Sequence, residues 1–127
     1  MRVCGQRLWP SEAEESVLGC VLCAACWDVD AGLRVVCRVR AVGLRPCHFW
    51  LTSHAQVFEA MLRLADADLP VDPISVAAEL DREHADPYVV SRLRILAHTV
   101  AVVSAAERHA RIVLDAAERR EIEEREP

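Results

Sequence analysis

Apolar residues recur along this chain at helical spacing, and each stretch of them begins at its own start signal. Ser11 followed by Glu14 forms a capping box, and Val17, Leu18, Val21, Leu22 and Ala25 then mark one helical face, predicting a helix over 11–26. Gly19 inside it costs about 1 kcal/mol against Ala, which a close approach by another helix would explain. Residues 28–43 read two ways. Asp30 suits the cap of a short helix with Leu33, Val36 and Cys37 on one face, yet CRVRAV alternates like a strand. Gly43 ends either element.

Ser53 with Gln56 is a second capping box, opening a helix with Val57, Phe58, Met61, Leu62 and Ala65 on its stripe; ADAD and Pro70 end it. Asp72 as N-cap and Pro73 at the first position start a fourth helix, where the missing proline N–H costs nothing. Its expected buried side is Ile74, Ala77, Ala78 and Leu80. Asp86-Pro87 repeats the signal ahead of Val89, Leu93, Leu96, Ala97 and Val100. Ser104 with Glu107 opens a sixth helix carrying Ala106, Ala110, Val113, Leu114 and Ala117. The short connection predicts that the last two helices pair as an antiparallel hairpin.

The expected fold class is all-α: a small bundle of about six helices ending in that hairpin. Residues 1–10 read as a lead-in, 11–84 as a globular part, 87–118 as the hairpin and 119–127 as a charged tail that frays into solvent. Composition fits one helical domain. At 127 residues there is room for a single core, and with 53% hydrophobic but only 5% aromatic residues it must be built from Ala, Val, Leu and Ile.

Charge then excludes several functions. All fifteen basic residues are arginine, so no lysine is present for a Schiff base or a P-loop, and the four glycines lie far apart. A net charge of −5 argues against direct nucleic-acid binding as the main work. The N-terminus lacks a signal-peptide apolar run, and no uncharged stretch approaches the roughly 20 residues of a membrane span. The expectation is a cytoplasmic protein with reduced cysteines.

Cys20, Cys23 and Cys26 have the outline of an iron–sulfur ligand run, but four thiolates are normally needed, and Cys37 and Cys47 are remote. Inside a predicted helix these cysteines read better as small core residues, with a metal or redox site as the alternative. No histidine pair has metal-ligand spacing, although Cys47, His48 and His54 are a conceivable zinc set. His54 reads as a first-turn residue whose ring bonds nearby backbone. Arg34, Arg38, Arg40 and Arg45 form a basic cluster that reads as a solvated face or as a contact for phosphate or an acidic partner. Neither catalytic residues nor a cofactor are expected. The better lead is the fifth helix, where Val89, Val90, Ile95, Leu96, Val100, Val102 and Val103 crowd more than one face. A helix apolar on two sides must bury both, against its own core or against another subunit.

Four segments carry a resemblance to a known family. PSEAEESVLG (Pro10 to Gly19), FWLTSHAQVFEAM (Phe49 to Met61), LPVDPISVAAEL (Leu69 to Leu80) and ARIV (Ala110 to Val113) resemble, in order and spacing, the N-terminal domain of the DnaB-type replicative DNA helicases. The match covers roughly residues 10–117. It implies a helical bundle with a protruding hairpin and makes the second element a helix. It also implies an interaction domain without catalysis of its own, associating as a homodimer or higher oligomer through Val89, Leu93, Leu96, Val100, Ala110, Val113 and Leu114, with replicative helicase or primase as further partners. The chain departs from the family's pattern in four ways. The family's ATPase domain is absent from it, and the cysteine run replaces small or aliphatic residues. Cys47 and His48 stand at usually acidic positions, and the turn Ala101 to Ser104 lacks a proline.

Overall fold

In the computed structural model, which describes residues 9–28, 30–99 and 101–125, the first helix, α1 (Trp9–Ala25), starts two residues ahead of Ser11. Pro10 fits its first turn, where no intrahelical donor is needed. Ser11 is therefore inside the helix and does not cap it. Val17, Leu18, Val21 and Leu22 are buried as the stripe predicts, and Ala13, Cys20 and Ala24 are buried as well. A helix apolar on nearly every side belongs in the middle of a bundle. α1 packs on α2 (Ala31–Val42), α3 (Thr52–Asp66), α5 (Pro87–Ala97) and α6 (Ala106–Arg125), while α4 (Pro73–Arg82) packs on α3 and α5.

The ambiguous second element is helical. Val35, Val36 and Val39 point inward, and Cys37, expected on that face, is exposed because it lies to the side of the valine stripe. Gly43 closes α2 at φ 108°, a left-handed conformation that favours glycine, with its N–H donated to the Arg40 carbonyl. At the other end, a side chain on Gly32 would collide with the Val71 carbonyl oxygen, so the loop after α3 lies directly on α2.

Both proline-started helices form as read. The Asp72 side chain accepts from Ser75 N–H, and Asp86 accepts from Tyr88 N–H. The inward side of α4 differs from expectation: Val76 and Leu80 are buried, whereas Ile74 is 83% exposed and Ala78 is exposed. Capping at Asp72 sets the phase of the helix, and residues 76 and 80 then face α3 and α5. The other two serine caps are also displaced. α3 begins at Thr52 with Ser53 buried in its first turn, and α6 begins at Ala106 after a 3-10 turn (Val103–Ala105) that contains Ser104. Glu107 faces Arg38 instead of completing a cap.

Six α-helices and no strand among the described residues make the fold all-α, as expected. Its ending is different. α5 packs on α3, α4 and α1, and α6 packs mainly on α1 and α2, so α1 stands between the two helices expected to form an antiparallel hairpin. The connection after α5 crosses α1 where Gly19 leaves room. A Cβ there would lie 3.4 Å from Thr99 and 3.5 Å from Ala101, and the Cys20 thiol donates to the Val102 carbonyl at 3.3 Å. The close approach expected at Gly19 is thus made by a crossing loop. Nor does the charged tail fray before Arg125. An Arg125–Glu121 pair one turn apart supports α6, and Arg120 donates to the His48 carbonyl at 2.8 Å.

Candidate interaction surface

Two sites stand out, one closed and one open. The closed site is polar. Glu14 of α1, 1% exposed, accepts from Trp50 N–H at 2.6 Å and from the His54 Nδ1–H at 2.8 Å. Its carboxylate lies at the N-terminal end of α3, where the helix dipole favours negative charge. The glutamate that the sequence pairs with Ser11 therefore serves another helix. His54, fully buried, bonds that carboxylate and not nearby backbone, and its Nε2 has no protein partner. Nothing in local spacing reveals this pair, because 40 residues separate its members.

The open site is the outer side of α5. Of the residues expected to bind partners, Val89, Leu93 and Leu96 are at most 3% exposed, and Ala110 and Val113 of α6 are equally buried. Leu114 is half-buried near Gly43, and Val100 lies outside the described residues. Within one chain the buried ones lie in the core, those of α5 against α1, α3 and α4 and those of α6 against α1 and α2. What α5 leaves in solvent is Tyr88, 63% exposed, and Ile95, 56% exposed, seven residues apart and so on one face. Val102, in the crossing loop, is 63% exposed. Ile95 and Val102 belong to the apolar crowd noted in the sequence. Tyr88 was legible from its i, i+7 spacing to Ile95. The two sides of α5 are thus apolar for different reasons.

The five described cysteines differ in exposure. Cys20 is buried, with its thiol pushed above the ordinary range by desolvation, Cys23 is half-buried, and Cys26, Cys37 and Cys47 are exposed. Among the described residues no group of three His, Cys, Asp or Glu side chains, the Cys20/Cys23/Cys26 run included, is placed to hold a metal. The conceivable set of Cys47, His48 and His54 is likewise taken apart, since His54 is committed to Glu14 and His48 Nδ1 accepts from Arg45 N–H. In the arginine cluster, Arg34 pairs with Asp28, Arg38 with Glu107 and Arg40 with Asp66. Most of that basic face is neutralised locally.

Residues 8–115 of the chain match a known protein-family model, that of the DnaB-like helicase N-terminal domain. The chain belongs to that family. DnaB from Geobacillus stearothermophilus, a replicative DNA helicase, is 36% identical over 104 residues, covering 80% of this chain and 21% of the relative. The chain thus spans about a fifth of that helicase's length. The crystal structure of the N-terminal domain of DnaB helicase from Mycobacterium tuberculosis superposes with a TM-score of 0.76 at 32% identity, covering 88% of this chain and 76% of that one. No described helix of this DnaB-like domain is long and apolar enough to cross a membrane.

Proposed function

We propose that this chain is a non-catalytic interaction and oligomerisation domain of DNA replication, which self-associates and contacts replicative helicase or primase. The observation that carries the reading is the outer side of α5, where Tyr88 and Ile95 remain in solvent on a helix whose other side is fully packed. Large apolar side chains that share an exposed helix face mark contact surfaces more often than they mark idle ones. Val89, Leu93 and Leu96 contribute indirectly, by fixing the rotation of α5 so that Tyr88 and Ile95 face outward. Membership of a helicase N-terminal family supports the replication context and the helicase or primase partners.

Sedimentation velocity across a micromolar concentration series, with pull-downs of the host's helicase and primase, tests the reading. Wild type should associate or capture a partner, and Tyr88→Ala with Ile95→Asp should weaken that while leaving helical content unchanged. A strictly monomeric protein at high micromolar concentration that captures neither partner would end the proposal.

A further inference from the structure

Behind the neutralised arginines lies a cavity of about 320 Å³, lined by Arg40, Gly43, Leu44, Arg45 and Leu62. It opens where α2 ends and its chain turns toward α3. The floor is aliphatic: Leu44 is buried and Leu62 is half-buried. The rim is cationic but unevenly so. Arg40 already holds Asp66 at 2.9 Å, whereas Arg45 is exposed and has no carboxylate partner among the described residues. Its positive charge, after burial, helps push the His48 imidazole below the ordinary histidine range, and Glu118 and Glu121 oppose that push. The volume sits at the small end for ligand sites, enough for a side chain or two and far too small for a folded partner.

We propose that this cavity binds an acidic-aliphatic peptide segment of a partner protein, with one aliphatic side chain on Leu44 and Leu62 and one carboxylate on Arg45. Each feature selects. An aliphatic floor rewards Leu, Ile or Val, and a guanidinium fork donates two parallel hydrogen bonds to a carboxylate. Because Asp66 occupies Arg40, the rim keeps one cation without a carboxylate among the described residues, which matches one carboxylate better than a polyanion. A net charge of −5 on the chain opposes a nucleic-acid backbone at the same place. This site is separate from the α5 face and does not depend on self-association.

The test uses the whole chain, ¹⁵N-labelled, and a blocked Glu-Ile-Glu-Glu peptide as the probe. Amides of Gly43, Leu44, Arg45 and Leu62 should shift in a saturable way, with a Kd on the order of a millimolar for so small a contact. Arg45→Glu should weaken binding about tenfold by turning attraction into repulsion, and Arg45→Lys should recover only part of it, because lysine keeps the charge without the two-bond fork. Both substitutions are at an exposed side chain, and a thermal melt checks that each variant is folded. Three results would overturn the proposal. The first is no shift from the peptide, and the second is equal binding of a Gln-Ile-Gln-Gln analogue. The third is shifts of the same amides by concentrating the protein alone, which would assign the cavity to a second copy of the chain.

Discussion

α1 and α5 are both apolar around more than one side, and they end up in opposite situations. α1 has neighbours on every side, so even Cys20, at the back of its stripe, is buried, and its one deeply placed carboxylate is fully committed to Trp50 and His54. α5 has neighbours on one side only. Val89, Leu93 and Leu96 face them, and Tyr88 and Ile95 face solvent. The difference teaches that a helix's content states how much it must bury, while its place in the packing order states how much the chain itself covers. The uncovered remainder on α5 is the face that the proposed association would use.

The strongest way to break this contrast is at the closed site. Glu14→Ala leaves a buried imidazole and the Trp50 N–H without their acceptor, and should destabilise the fold by about 3–5 kcal/mol in urea titrations. A loss near zero would show that the α1–α3 junction is not held as described. Next come two truncations on α5. Leu96→Ala empties a fully buried position and should cost about 2–5 kcal/mol, whereas Ile95→Ala, one residue away but outward, should stay within about 0.5 kcal/mol. Similar costs at both positions would erase the two-sided reading of α5.

A smaller effect belongs to Glu79 on α4. Hydrogen bonds from Arg82 and then Arg63 hold its carboxyl below the ordinary range. A depressed folded value contributes stability above the ordinary carboxylate range and loses it as pH falls through the folded value. Glu79→Gln should therefore lower stability slightly at neutral pH, with the difference from wild type shrinking as pH falls through the folded value, so that the acid side of the stability curve flattens. Unlike Glu14, this rim carboxylate shares its arginines with solvent, so the effect is small. The finest test is chemical and needs no variant. Iodoacetamide on the native protein should modify Cys26, Cys37 and Cys47 well before Cys20, which is buried and held as the thiol. Mass spectrometry of the labelled peptides reads the order, and early labelling of Cys20 would show that α1 is not enclosed.

Much of the fold was legible because local rules set it. Asp72-Pro73 and Asp86-Pro87 start helices by satisfying or removing donors within three residues, and both do so here. Two of the three serine capping boxes fail for a shared reason: their glutamates, Glu14 and Glu107, find partners in other helices, at His54 and Arg38. The candidate surface was half legible. Periodicity picked out α5 as apolar on two sides, and the family resemblance pointed to Val89, Leu93 and Leu96, which are buried within the chain, while Tyr88 and Ile95 are the large apolar side chains α5 exposes.

By itself the sequence determined that the chain is helical and where half of its helices begin, because capping, proline placement and the 3.6-residue period act over a few neighbouring positions, and its four motif segments carried the family. Only the tertiary structure decided that α1, and not a terminal hairpin, is the axis of the body. It alone decided that a carboxylate from one helix anchors the start of another, and which side of α5 stays in water. These outcomes depend on contacts between residues tens of positions apart, whose geometry exists only once the helices have packed.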